Sequence, residues 1–255
     1  MSEYCFNKIS VMGYEVYSGD VDSLVRDISS IINDARVETT LTVNCLNPHS
    51  LIVANNDGEF RTSLLSTDVL LPDGVGITLS ARLLSGNILD RIPGPVFFEK
   101  LLAKIQNTDT RLFFLGSDQP TLRILEQLTQ HKYGLQAASY SPPFADNFSS
   151  YDLRRMIKKI NQYQPGIVWV GMTAPKQEKV IAAIKESCDV KVMCGVGAVF
   201  DYQSGKRKSP ELMRHLGLEW LARLISDPKK MWRRNFVSTP LFIFHVIRNW
   251  YTMRI

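Results

Sequence analysis

Asp73 stands in Leu71-Pro72-Asp73-Gly74-Val75-Gly76, directly after the short apolar run Val69-Leu70-Leu71. A run of that kind reads as a buried strand. Open α/β sheets bind ligands at the carboxyl ends of their strands, so a carboxylate there is placed to serve as a general base. Gly74 and Gly76 allow close approach of the backbone to a ligand. The plain alternative is a Pro-Asp-Gly turn in which the Asp only bonds its own backbone.

A second constellation is Ala174-Pro175-Lys176-Gln177-Glu178. Pro175 suits the first turn of a helix. A Lys in that turn opposes the helix dipole at a cost of about 0.3–1 kcal/mol, which an anion such as a diphosphate bound at the helix start would offset. The competing reading is a solvent-facing Lys. Gly195-Val196-Gly197 looks like the start of a dinucleotide fingerprint, but position 200 is Phe and no suitably placed acid follows, so a nicotinamide site is excluded. There is no GxxxxGK[ST] loop either. Asp20-Val21-Asp22 matches a bare D-x-D metal–diphosphate pattern, yet it precedes Leu24, Val25, Ile28, Ile31 and Ile32 and reads better as a helix cap. The four histidines are dispersed, and the four cysteines show no CxxC spacing. Neither a metal nor a disulfide framework is expected, which fits a reducing compartment.

Short apolar runs predict buried parallel strands at 41–44, 69–71, 112–115, 167–170 and 190–194, with helical periodicity near 50–66, 75–85, 95–106, 119–131, 150–161 and 175–187. This alternation predicts an α/β fold, a Rossmann-like, doubly wound, mostly parallel sheet. The length of 255 residues, 45% of them hydrophobic and 22% charged, suits one large domain with an appendage. The strand ends then gather Cys45 to His49, Pro72 to Gly76, Gly116 to Asp118, Gly171 to Glu178, and Gly195 to Gly197.

The pattern changes after Asp201. Residues 210–226 read as an amphipathic helix, Pro228 starts a Lys- and Arg-rich helix, and Pro240 starts a third, 241–255. Residues 206–255 hold eleven Lys and Arg against three acids, whereas residues 1–205 carry a net −3. The expected division is a catalytic domain, 1–205, and a basic helical appendage, 206–255. A basic tail on a mildly acidic body suits an anionic surface, lipid or nucleic acid. The last helix has a narrow polar stripe (His245, Arg248, Asn249, Thr252), and its apolar remainder must bury itself on the body or in a bilayer interface, there helped by Trp250 and Tyr251. No run of about 18 uncharged apolar residues predicts a spanning helix, and the N-terminus shows no signal-peptide pattern.

Several segments in order resemble the WecG/TagA/CpsF glycosyltransferases, glycosyltransferase family 26: Asn47-Pro48, Leu71 to Gly76, Asp90-Arg91-Ile92-Pro93-Gly94, Phe114-Leu115-Gly116, Ala174 to Glu178, Gly195 to Asp201, and Gly217 to Leu224. They cover about residues 40–235. The resemblance implies an inverting transferase with neither metal nor cofactor. It implies transfer of N-acetylmannosamine, its uronic acid or a related hexose from a UDP-sugar to an undecaprenyl-diphosphate-linked sugar, at the inner face of the cell membrane. Asp73 matches the family's proposed base, Asn47 and Arg91 its pocket positions, and Gln177 the Gln of its PKQE motif. The basic C-terminal region, with Arg223, Arg233, Arg234 and Trp250, matches a membrane-docking appendage. Cys45 stands where the family often has Thr, and Thr173 where it often has Gly, so no particular sugar is carried over. Backbone N–H groups near Gly195 and Gly197, beside the helix start at Lys176, are expected to stabilise the leaving diphosphate. Expected partners are the UDP-sugar, the polyprenyl-diphosphate-linked acceptor, an anionic membrane surface and, left open, a second copy of the chain. The competing reading, a nucleic-acid-binding α/β protein, leaves Asp73 and the Lys176 segment without a role.

Overall fold

The computed structural model describes residues 5–206 and 233–252. Eight strands form one sheet: β1 (Lys8–Val11), β2 (Tyr14–Tyr17), β3 (Leu41–Leu46), β4 (Val69–Pro72), β5 (Leu112–Leu115), β6 (Ala137–Tyr140), β7 (Ile167–Val170) and β8 (Val192–Gly195). Their spatial order is β1-β2-β4-β3-β8-β7-β5-β6. Only β1 runs antiparallel to its neighbour; the other pairs are parallel. The chain leaves β3 toward β4 on one side and then builds β5 to β8 on the other. The order therefore reverses around β3, where such sheets open a binding crevice.

Alternation along each strand sends side chains to two faces. Leu41, Val43, Cys45, Val69, Leu71, Phe114, Trp169 and Cys194 pack with α1 (Val21–Asn33), α5 (Gly94–Ile105) and α6 (Gln119–Tyr133). On the opposite face, Leu46 and Leu70 pack with α2 (Pro48–Ala54), α3 (Gly58–Leu65), α4 (Val75–Ser85) and the C-terminal helix. Farther along that face, Val168, Val170 and Met193 pack with α7 (Ser150–Tyr163) and α8 (Lys176–Ile184). Both faces are covered, which is why the parallel strands read as continuous apolar runs. Beneath the site lies an aromatic cluster in which Phe98 and Trp169 stand edge to face, centroids 4.7 Å apart, and Phe114 meets Phe200 at 5.5 Å. A Cβ at Gly171 would fall 2.1 Å from Phe200 Cδ2, so this strand end needs glycine.

The observed elements correct the expected ones in four places. The single helix expected over 50–66 is two. Asn55 closes α2, and the Asp57 side chain caps α3 by accepting from Phe60 N at 3.0 Å. The β1–β2 hairpin escaped notice because its strands are four residues long around Met12 and Gly13, both at positive φ. β6 escaped because Ala137-Ala138-Ser139-Tyr140 is a half-buried edge strand without an apolar run. The last parallel strand begins at Val192, two residues later than expected.

Asp20 is the N-cap of α1: its carboxylate accepts from Ser23 N at 2.8 Å and Ser23 Oγ at 2.7 Å. The Ser23 hydroxyl and amide hold the Asp20 carboxyl below its ordinary value. The cap thus stabilises above the unfolded carboxyl value and fades as pH falls through the folded one. Asp20→Ala is expected to lower the thermal midpoint by a few degrees at neutral pH, with a smaller effect in acid, and to leave sugar transfer intact. Loss of transfer at unchanged stability would return Asp20 to the catalytic machinery.

After a short α9 (Val199–Gln203), the third predicted C-terminal helix is observed as α10 (Thr239–Thr252), entered through a wide turn at Arg233–Ser238. The helices expected over 210–226 and from Pro228 lie outside the described residues.

Candidate active site

Four neighbouring strands, β4, β3, β8 and β7, end along one rim, and hydrogen bonds tie their exits together. Asp73 N donates to Leu46 O at 2.9 Å, which sets the Asp73 turn beside the start of α2. Ile92 N donates to Pro72 O at 3.0 Å, which brings the Arg91 segment over β4. Val196 N donates to Val170 O at 3.0 Å and joins the exits of β8 and β7.

Asp73 itself is half-buried, and among the described residues its carboxylate makes no hydrogen bond or ion pair. It is not consumed by its own turn. Gly74, which follows it, has φ +116, a conformation that L side chains rarely adopt, and a Cβ there would sit 3.5 Å from Pro48 Cδ and 3.9 Å from Asn47 Cβ. Asn47 caps α2, its Oδ1 accepting from Ser50 N at 3.1 Å, so its Nδ2 remains the group able to donate outward. Cys45 is buried in β3. Its Sγ lies 3.4 Å from the point a Gly94 Cβ would occupy, which packs β3 against the segment after Arg91. Arg91 is half-buried beside Ile92.

Gly195 ends β8, and Gly197 follows at φ +56. Gly197 N donates to Gln177 Oε1 at 2.8 Å, so the start of α8 is bonded to the turn after β8. Lys176 opens α8 as expected, but its Nζ donates to Ala145 O and sits over the rings of Phe144 and Phe148, 5.5 and 5.7 Å from their centroids. The sequence pattern placed this ammonium at the helix start and could not show the 142–148 loop folding over it. Glu178 was not singled out from the sequence, yet it is buried behind Gln177, with its carboxyl pushed up to about 7 by desolvation.

The structure therefore brings Cys45, Asn47, Asp73, Gly74, Arg91, Gln177, Gly195 and Gly197 to one rim, with Lys176 adjoining and turned to its loop. Arg233 and Arg234 lie in the turn before α10, and Trp250 is half-buried on α10. Arg223 and the Gly217–Leu224 match lie outside the described residues. Lys206 pairs with Asp118 at the exit of β5; hydrogen bonds from Lys206 and Thr121 hold the Asp118 carboxyl down at about 2.

The C-terminal segment reaches the same rim. His49 Nδ1 and Ser238 Oγ are 2.8 Å apart, and Phe242 Cε1 lies 3.1 Å from the point a Gly76 Cβ would occupy. Phe242 and Val246 bury α10 on the α2–α4 face. Phe244, Ile247 and Tyr251 remain exposed on its outer side. A separate cavity of about 500 Å³ lies at the far end of α2, lined by residues that include Asn55, Arg61, His245 and Asn249. Among the described residues no group of three or more His, Cys, Asp or Glu could hold a metal ion. No described helix is long and apolar enough to cross a membrane.

A doubly wound sheet whose order reverses around β3, with an open carboxylate at the adjoining exit of β4, has the crevice in which α/β enzymes of this class hold their ligands. Residues 9–255 match the glycosyl transferase WecG/TagA/CpsF family, and the chain belongs to it: it is a glycosyltransferase. Among its relatives, an N-acetylglucosaminyldiphosphoundecaprenol N-acetyl-beta-D-mannosaminyltransferase of Bacillus subtilis (strain 168) is 28% identical over 81% of this chain and 78% of the relative. The protein of that name from Bacillus spizizenii is 29% identical over 80% and 77%. That from Staphylococcus aureus (strain MRSA252) is 24% identical over 94% and 92%.

Proposed function

We propose that the protein transfers a hexose-type sugar from a UDP-sugar to a polyprenyl-diphosphate-linked sugar, with inversion at the anomeric carbon. The observation that carries this reading is the Asp73 carboxylate, half-buried at the β4 exit and unpartnered among the described residues, in a chain whose relatives bear mannosaminyltransferase names. In a single displacement, the acceptor hydroxyl attacks the anomeric carbon while Asp73 takes its proton. UDP departs from the opposite face. In this reading the turn after β8 and the start of α8 meet the negative charge that develops on the diphosphate. In this reading Arg91 and Asn47, in the neighbouring segments, orient the two sugars.

The acceptor is membrane-borne in this reading, so the enzyme works as a peripheral protein on the inner leaflet. Residues 1–205 are the catalytic domain, and 206–255, with Arg223, Arg233, Arg234 and Trp250, are the docking appendage. Turnover of a UDP-sugar panel against a short-chain lipid-diphosphate N-acetylglucosamine tests the proposal. Acceptor-dependent UDP release, unaffected by EDTA, and a product of inverted anomeric configuration are expected. No release with any UDP-sugar, or retention of configuration, would overturn it.

A further inference from the structure

Glu178 takes no part in the chemistry described so far, yet it lies directly behind it. It is 1% exposed on the inner side of α8. Its Oε1 accepts from Gln177 Nε2 at 2.8 Å, while its Oε2 has no partner among the described residues. The other end of the same Gln177 side chain, Oε1, accepts from Gly197 N at 2.8 Å. Two hydrogen bonds thus run from a buried carboxyl to the backbone of the turn after β8.

A carboxamide can rotate to exchange its oxygen and nitrogen ends. Only the orientation that turns Nε2 to an acceptor leaves Oε1 for the Gly197 N–H, so the Glu178 oxygen selects the useful one. A buried carboxyl oxygen without a donor is the setting in which a carboxyl keeps its proton.

Among the described residues no charged group of α3, α7, β8 or the turn at Lys185–Ser187 shifts the Glu178 carboxyl. Burial raises its carboxyl, and only the Gln177 amide and its own backbone N–H lower it. Lys179, the next residue, turns to α3 and pairs with Asp57 and Glu59, both at 2.9 Å.

We propose that Glu178, in its neutral carboxylic acid form, is a positioning residue that locks Gln177 and, through it, the Val196 to Ala198 turn in the shape that receives the donor's diphosphate. The proposal rests on the sugar-nucleotide reading of this rim. Ionisation places an unpaired charge in the core, and relief of that charge loosens the start of α8 and releases the turn. Because the fold favours the protonated form, wild-type stability declines as pH rises from about 4.5 to about 7, an interval that Glu178→Gln flattens.

Titration calorimetry of the full chain with UDP at pH 6.5 and pH 8.5 (about half a unit below and well above the folded carboxyl value near 7) tests it, alongside thermal unfolding. Glu178→Gln keeps the acceptor and mimics the neutral acid, so it should bind UDP like wild type at the lower pH. Glu178→Leu, which frees the Gln177 amide, should bind about tenfold more weakly, as expected for one lost buried hydrogen bond. Between the two pH values wild-type affinity should fall several-fold relative to Glu178→Gln; the nucleotide's own titration is common to both and cancels. If Glu178→Leu fails to fold, the comparison of wild type with Glu178→Gln decides alone. Parallel pH profiles for those two proteins, with normal UDP binding, overturn the positioning role only. Absence of UDP binding by wild type overturns it together with the sugar-nucleotide reading.

Discussion

Asp73→Ala is expected to lower sugar transfer by about 10²–10⁴-fold, the usual worth of a positioned general base, while UDP binding survives. The structural grounds for separating the two effects are local. The Asp73 side chain makes no hydrogen bond or ion pair among the described residues, so its removal breaks nothing in the fold. The backbone bond from Asp73 N to Leu46 O and the φ of Gly74 do not depend on the carboxylate. In the proposed reading the diphosphate lies at the exit of β8, two strands away in the order β4-β3-β8, and at the start of α8. Asp73→Asn keeps the shape and removes only the basicity, so it should fall by a similar factor with kcat carrying the loss. Steady-state turnover against UDP affinity by calorimetry is the measurement. Full activity in Asp73→Asn would end the base assignment; a parallel loss of UDP affinity would make Asp73 a binding residue.

How far the sequence reveals this site depends on the length scale of the physics. β3, β4, β5 and β7 were legible because strands covered on both faces are continuous apolar runs. The bounds of α4 were legible because Gly74 and Gly86, at φ +116 and +74, stop the helix at each end. Placing Asp73, Asn47 and Gly195 on one rim then required only that parallel strands share a carboxyl edge. What stayed hidden is long-range. Nothing in Pro175-Lys176-Gln177-Glu178 shows that the glutamate is buried and the lysine capped by a loop some thirty residues earlier in the chain. The break between α2 and α3 is set by Asp57 capping, a signal visible in the sequence but overridden there by a helical period running through it. β6 pairs with β5 at the sheet edge, with half-buried side chains that leave no apolar signature.

The outer side of α10 gives the second large effect. Phe244, Ile247 and Tyr251 recur at spacings of three and four, so they form one stripe, and they are 60, 53 and 62% exposed. The opposite stripe, Phe242 and Val246, is buried on the body, which fixes the outer one in direction. The helix belongs to a segment of net charge +8, and an anionic leaflet attracts each nearby Lys or Arg by about 1 kcal/mol. Charge draws the segment to the surface; the apolar stripe has to enter it for lasting residence. Burying one such side chain is worth about 1.5–3 kcal/mol, so Phe244→Glu with Ile247→Glu should weaken binding to vesicles of mixed anionic and neutral lipid by about 10²-fold or more. Both positions are exposed, so thermal stability and transfer to a short-chain acceptor in detergent should hold. Sedimentation with vesicles at low and high salt separates the contributions: salt should weaken wild type through the basic residues, while the double variant should bind poorly at either ionic strength. If the variant binds vesicles as tightly as wild type, the apolar stripe does not meet the bilayer, and the acceptor must be reached by charge alone.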